Sequence, residues 1–284
     1  MTDPAEIYRA IQGRARSEAA RTGRPVATEK LLTRHLLESF LDRLARTDHG
    51  GDFVLKGGIL LAAYGVRRPT KDVDAEAIDA DVSATHLRQV VTDLVAVEAG
   101  DGIEFELASM SVQEIRDGAE YPGLRVRLKA RLATWQGTAA WDVSTGDPIV
   151  PAPQRVRLPR VLGDDIVLLG YRPETTIAEK GVTILERGTT STRWRDYVDI
   201  VRLFESFDVD SETLLASARA VARHRGVSLR PVGGLLVGYG TAAQPKWAAW
   251  RRKEALEYVC AEQLDDQVAR VAELLDPVFR HGDQ

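Results

Sequence analysis

Two aspartates one residue apart, Asp72 and Asp74 in "KDVDAEA", are the side chains in this sequence best spaced to do chemistry. On an extended segment they point to one face, with Cβ atoms roughly 7 Å apart. Such a pair repels itself unless a cation intervenes, and an oxygen-only donor set suits Mg2+. A divalent ion held this way grips phosphate oxygens and polarises an attacking hydroxyl, so metal-assisted phosphoryl chemistry is the reaction class to expect. The bland alternative is the solvated face of an edge strand, since D-x-D is common by chance. What lies just upstream favours the chemical reading. Gly57 and Gly58, in "VLKGGILLAAYG", sit between an apolar run and a short apolar helix. Bare backbone N–H groups at such a corner can approach a triphosphate. Lys56, Arg67, Arg68 and Lys71 add positive charge beside the carboxylates.

The elements that must hold these residues follow from periodicity. Residues 5–22 and 28–47 read as helices, and in the second Leu31, Leu32, His35, Leu36, Phe40, Leu41 and Leu44 form one broad face. A short strand is expected at 52–55, a buried helix at 59–64 and a half-buried strand at 71–77. Residues 81–97 read as helix and 102–113 as strand. "LRVRLKARL" alternates cleanly, with Leu124, Val126, Leu128, Ala130 and Leu132 on one face, and further strands are expected at 139–144 and 166–170. From Pro173 onward the pattern is helical: 173–187, 193–205, 211–223, 246–260 and 264–279. Mixed strands and helices followed by helices alone predict an α/β lobe and then a helical lobe. The expected division is N-terminal helices over 1–50, a core over 51–171 and a helical C-terminal lobe over 172–284.

Bulk properties narrow the field. A chain of 284 residues with 44% hydrophobic and 28% charged residues has ample material for a buried core. A net charge of −4 argues against a bulk polyanion binder and leaves local basic patches open. One cysteine, Cys260, excludes an internal disulfide framework and a cysteine-based zinc site. "MTDPAEIYRA" lacks a basic start followed by an apolar stretch, and no uninterrupted apolar run reaches membrane-spanning length. A cytoplasmic protein without a membrane partner is therefore expected.

The strand, Gly-Gly corner, short helix and Asp-x-Asp strand together resemble the opening signature of the polymerase-β-like nucleotidyltransferase superfamily. "GGILLAAYGVRRPTKDVDAEA" is similar in particular to the AbiEii/AbiGii toxin branch, through Gly57, Gly58, Arg68, Thr70, Asp72 and Asp74. "IAEKGVTILERG" resembles the branch's third motif, with Glu179 and Lys180, and "RWRDYVDIVRL" its fourth, with Arg195, Asp196 and Asp199. "GDPIVPAP" after a strand also fits, so the resemblance spans about residues 53–204. It implies a polymerase-β-like core with a mixed sheet and a following helical lobe, the active site lying in the cleft between them. It further implies NMP transfer from an NTP, CTP favoured, to the 3′ end of tRNA, which blocks charging and arrests growth. In that scheme Asp72, Asp74, Lys180 and Asp196 are catalytic, and Gly57, Gly58, Arg68, Thr70 and Lys180 bind the nucleotide. Mg2+ falls to Asp72 and Asp74, with Asp142 of "AAWDVSTGD" as the third carboxylate that the superfamily takes from a neighbouring strand. Asp142 reads equally as a strand entering a turn. A cognate antitoxin is implied as partner, phosphorylation of Thr70 being one route to control. A monomer is expected.

The remaining residues have competing readings. Lys180 is either a surface lysine or, with Arg187 seven residues on, part of a phosphate-binding stripe. Asp196 and Asp199 near a helix start are also favoured there by the helix dipole, and Asp199 suits a structural hydrogen bond. Arg125, Arg127, Lys129 and Arg131 form a cationic row with no acid among them, which reads as an RNA-backbone track or as a solvated face. Trp247 and Trp250 in "PKWAAWRRK" read as packing. His35, His49, His86, His224 and His281 are scattered and show no ligand spacing. Two alternatives to tRNA transfer stand: the same chemistry on a protein or small-molecule acceptor, and a non-catalytic nucleotide-binding module. Intact Asp72, Asp74 and Lys180 argue against the second.

Overall fold

The computed structural model describes residues 3–78, 82–115 and 123–280; the expected helix start at residue 81 and His281 lie outside them. The chain divides into two compact units, residues 1–63, 67–146 and 154–170 in the first and 64–66, 147–153 and 171–284 in the second.

In the first unit, α1 (Pro4–Thr22) and α2 (Thr28–Ala45) lead through a 3-10 turn (Asp48–Gly51) into β1 (Phe53–Lys56) and the single turn of α3 (Gly57–Leu60). Then come β2 (Val73–Ala77), α4 (Ala84–Val95), β3 (Glu104–Ile115), β4 (Gly123–Leu132), β5 (Trp135–Ser144), β6 (Gln154–Leu158) and β7 (Ile166–Gly170). The seven strands form one mixed sheet in the order β3-β4-β5-β2-β1-β7-β6. β1 runs antiparallel to β2 and parallel to β7, and β2 runs parallel to β5. Alternation in β4 buries Val126, Leu128, Ala130 and Leu132 and turns the basic residues to the other face. Apolar residues at helical spacing do the same for α4, where Leu87, Val90, Val91 and Leu94 are buried behind a Ser83 cap. Each such Leu or Val contributes about 1.5–3 kcal/mol by leaving water.

The core lies under α2. Phe40 packs on Trp141 of β5 at 5.4 Å between ring centroids, and Trp141 meets Phe53 of β1 edge-on at 4.8 Å. These three rings tie α2 to the two strands flanking β2. Buried charge on α2 is compensated: Glu38 accepts from Arg34 and from the Val161 amide, and Arg43 pairs with Asp101 at 3.0 Å.

The second unit consists of α5 (Pro173–Arg187), α6 (Trp194–Ser206), α7 (Ser211–His224), the single turn of α8 (Val232–Leu235), α9 (Tyr239–Glu254) and α10 (Leu264–Phe279). Gly181 lets α5 approach α10, since a Cβ there would lie 2.7 Å from the Phe279 ring. Trp247 stacks on Trp250 at 5.1 Å, and both meet Trp194 of α6, so this aromatic pair packs inside the unit.

Several elements differ from expectation: α3 is a single turn that starts at Gly57, β5 begins at Trp135, and α8 has no counterpart in the periodicity. β6 is not expected from periodicity, because "QRVRL" is only five residues long; pairing with β7 makes it a strand. α9 begins at Tyr239 and continues through Pro245, then ends where Ala255 turns left-handed at φ 57, several residues before 260. Asp72 sits in a bend just before β2 rather than on the strand.

Candidate active site

Register decides which carboxylates meet. Asp74 of β2 lies directly across from Asp142 of β5, and Asp142 lies across from Arg125 of β4. Asp72 joins from the bend, so that Asp72, Asp74 and Asp142 can each bring one oxygen within 4.8 Å of the others. The aspartate that read equally as a turn residue thus stands beside the D-x-D pair. Thr70 also reaches this cluster, donating from Oγ1 to Asp72 Oδ1 at 2.8 Å.

Close approach marks both corner glycines, and backbone conformation adds to the demand at Gly57. Gly57 has φ +67, and a Cβ there would fall 1.9 Å from Asp74 Oδ2. A Cβ at Gly58 would fall 2.8 Å from Arg68 Nη1 and 2.9 Å from Thr70 Oγ1. The Gly-Gly corner is therefore the space into which Asp74, Arg68 and Thr70 fold.

Arg125 is part of this cluster. Its Nε and Nη2 donate to Asp142 Oδ1 and Oδ2 at 2.6 and 2.5 Å, a bidentate pair. Hydrogen bonding to Asp142 pushes the guanidinium pKa up; partial burial opposes this, and the charges of Asp142, Asp72 and Asp74 add to the rise. The all-oxygen donor set of the three carboxylates fits a hard divalent cation such as Mg2+. The row of cations on β4 is also less uniform than its sequence. Strand β3 sets Glu104 across from Arg131 and Glu106 across from Lys129, and Arg131 pairs with Glu104 at 2.5 Å. Arg127, exposed, stands across from Ser111.

Other basic residues near the motif have structural employment. Lys56 Nζ donates to Glu76 Oε2 at 2.7 Å, where Ser144 Oγ also donates at 2.7 Å. Glu76 is 1% exposed, so Lys56 offsets a buried charge. Glu76 escaped the sequence reading, although Asp72, Asp74 and Glu76 share one parity. Arg67 donates to the Pro159 carbonyl at 2.7 Å and faces Glu38 at 3.6 Å. Burial first, and the Arg34 charge next, lower its pKa to about 10.

In the second unit, Lys180 of α5 is buried and its Nζ meets Asp196 Oδ1 at 2.6 Å and Asp199 Oδ2 at 2.9 Å, both on α6. Arg193 Nε adds a bond to Asp196 Oδ2 at 2.9 Å. Burial alone would push the Asp196 carboxyl up, but Lys180 and Arg193 outweigh it and hold it below the usual carboxylate range. Lys180 and Arg187 do not form one exposed stripe: Arg187 is exposed while Lys180 is enclosed by carboxylates. Arg195 lies on the outside, paired with Glu254 at 3.0 Å. Arg225, unremarked in the sequence, gathers the "GDPIVPAP" aspartate Asp147 at 2.8 Å and Glu179 at 3.2 Å.

A mixed sheet that assembles three aspartates at a Gly-Gly corner is the core of a nucleotidyltransferase. Two Helicobacter pylori crystal structures share the fold. One is JHP933, at 14% identity and TM-score 0.50, covering 90% of this chain and 94% of that one. The other is a candidate nucleotidyltransferase, at 13% identity and TM-score 0.51, covering 90% and 97%. The family model described as nucleotidyl transferase AbiEii toxin, type IV TA system, matches residues 39–272, and the chain belongs to that family. It is thus a nucleotidyltransferase of a toxin–antitoxin family, which implies an antitoxin partner. No curated protein matches the sequence. No helix among the described residues is long and apolar enough to cross a membrane.

Proposed function

We propose that the chain transfers an NMP from an NTP, CTP favoured, to the 3′ hydroxyl of tRNA and so arrests translation, acting as a cytoplasmic monomer until its antitoxin intervenes. The observation that carries this reading is the convergence of Asp72, Asp74 and Asp142 on one point, with oxygens within 4.8 Å of one another. These three residues would hold Mg2+. When bound, Mg2+ would lower the pKa of the attacking hydroxyl and neutralise charge developing on the α-phosphate. The 3′ oxygen forms a bond to the α-phosphorus, the bridging bond to the β-phosphate breaks, and pyrophosphate leaves with the hydroxyl proton released.

The side chains of this protein mostly position the reactants. Arg125 fixes the Asp142 carboxylate and Thr70 orients Asp72. Gly57 and Gly58, whose missing side chains leave room for Asp74, Arg68 and Thr70, offer backbone N–H groups to the phosphates, and Arg68 beside Gly58 supplies a fork for their oxygens. By the family resemblance Lys180, bonded to Asp196 and Asp199, is assigned to triphosphate binding, with Asp196 setting its position. On β4, Arg127 and Lys129 make the RNA-facing part of the basic row, while Arg125 and Arg131 serve carboxylates first.

Incubation with Mg2+, total RNA and each labelled NTP in turn tests the proposal. The expected result is label at the 3′ end of tRNA, strongest with CTP, and loss of about 10²-fold or more in Asp74→Asn and Asp142→Asn. Reversing the charges of Arg127 and Lys129 should weaken RNA binding and flatten its salt dependence. Label on protein or on a small molecule, with none on RNA, would refute tRNA as acceptor.

A further inference from the structure

Far from the aspartate cluster along the same strands, the first unit assembles a second set of ligand-type side chains. Asp52 immediately precedes β1, His49 belongs to the 3-10 turn before it, and His86 lies in the first turn of α4. Each can bring one ligand atom so that all three lie within 4.8 Å of one another. Register places this group at the opposite end of the β1–β2 pair from the carboxylates: Phe53 faces Ala77 here, whereas Lys56 faces Asp74 there. The length of the strand, about 3.3 Å per residue, separates the two groups by roughly 10–13 Å.

The protonation pattern is that of a metal-ready imidazole. His49 Nε2 donates to Asp93 Oδ2 at 2.9 Å, because a carboxylate only accepts. A neutral ring protonated there leaves Nδ1 with a lone pair, and Nδ1 stands 3.6 Å from Asp52 Oδ2. Two ligands on a tetrahedral ion with bonds of about 2.0–2.1 Å lie roughly 3.4 Å apart, so this spacing needs little adjustment. Gln89 donates to the other Asp93 oxygen at 2.8 Å, extending a Gln–Asp–His chain of the kind that orients metal-bound imidazoles. His86 is fixed by the Ser83 cap, its ring meeting His49 edge-on at 5.6 Å between centroids. Its Nε2 is shut off from solvent and makes no hydrogen bond among the described residues. A buried polar atom without a partner is costly unless something fills its place.

We propose that His49 Nδ1, His86 and Asp52 form a transition-metal site of the Zn2+ class, oriented by Asp93 and separate from the Mg2+ cluster. Mixed nitrogen and oxygen ligands select Zn2+ over Mg2+, whose preferred donors are oxygens alone. A fourth position is left for water, in keeping with the partial exposure of all three residues. An ion bound here would act on the fold. It ties the turn leading into β1 to the start of α4, and so braces one end of the β1–β2 pair whose other end carries the aspartates. Binding to the folded chain alone would raise its melting temperature.

The test uses the full, unmutated chain stripped of metal and titrated with Zn2+ by calorimetry, then with Co2+ by visible absorption. The expected result is one equivalent bound with a Kd in the micromolar range or tighter, a rise in Tm, and Co2+ d–d bands that Zn2+ abolishes. Zn2+ binding should be unchanged in Asp74→Asn, be lost in His86→Gln, and weaken by about 10–100-fold in Asp93→Asn. Only millimolar binding to the unmutated chain would overturn the proposal, with no dependence on how any variant folds. So would binding that survives His86→Gln, or binding that disappears in Asp74→Asn.

Discussion

Gly57→Ala isolates the geometry on which the candidate active site depends. The substitution does two separable things. It places an L side chain at φ +67, and it drives a Cβ to 1.9 Å from Asp74 Oδ2 and 2.8 Å from Asp74 Cβ. Left-handed backbone costs about 1–2 kcal/mol for a non-glycine residue. Overpacking adds about 1–3 kcal/mol, because the Asp74 carboxylate cannot stay where it is. Gly23 supplies the matched control: φ is +68, and an added Cβ would meet nothing within 4 Å. Gly23→Ala should therefore cost only the backbone part, and Gly57→Ala about 2–5 kcal/mol in total. At roughly 2 °C per kcal/mol, that is a fall in Tm of roughly 2–4 °C for the control against 4–10 °C. Function should separate the two further. An aspartate moved by about 1 Å can cost about 10²-fold in rate, so Gly57→Ala should lose nucleotide transfer while Gly23→Ala keeps it. In an Asp74→Gly background the extra stability cost of Gly57→Ala should disappear, since the clashing atoms are gone. Thermal melts and labelled-NTP transfer by the four proteins measure all of this. A Gly57→Ala protein that melts like Gly23→Ala and transfers at an undiminished rate would refute the reasoning.

Two further predictions concern the buried ion pairs and control. Lys180→Met should destabilise the protein by about 3–5 kcal/mol near neutral pH, because Asp196 and Asp199 stay buried with a cation removed. The folded pKa of Asp196 is held below its ordinary 3.8, so the stability it contributes is present above about pH 4 and lost as pH falls further. Urea unfolding should accordingly show the gap between the two proteins narrowing below pH 4; an equal gap at every pH would contradict the assignment. Thr70→Glu should be inactive yet melt normally, because it sets a carboxylate against Asp72, whose Oδ1 the Thr70 hydroxyl now meets at 2.8 Å. Thr70→Val should retain part of the activity, and mass spectrometry after co-expression with the antitoxin should find phosphate on Thr70. An unmodified Thr70 in fully neutralised protein would assign control to occlusion instead.

Local pattern was enough to read most of the parts of this protein. Alternation in "LRVRLKARL", helical spacing in α4 and α5, and the Gly-Gly to Asp-x-Asp order are each written within a few consecutive residues, where geometry depends on period alone. The family likeness rests on such short stretches, and so did the choice of Asp72, Asp74, Lys180 and Asp196. Partnership is a different matter, because register and packing decide it. Asp142 joins the aspartates only because β5 runs parallel to β2 with Asp142 opposite Asp74, 68 positions apart. The same pairing turns Arg125 from a member of a basic row into the clamp on Asp142, and β3 brings Glu104 and Glu106 against the row's far end. Lys180, whose place on a helix leaves solvent and phosphate both open, becomes a buried cation once α6 sets two carboxylates over it. His49 and His86 look unrelated at 37 positions' separation, and stand face to edge because α4 returns to the start of β1. A strand or helix needs only its own residues to be recognised, whereas a charge needs its neighbours before its role has meaning, and those neighbours come from remote parts of the chain.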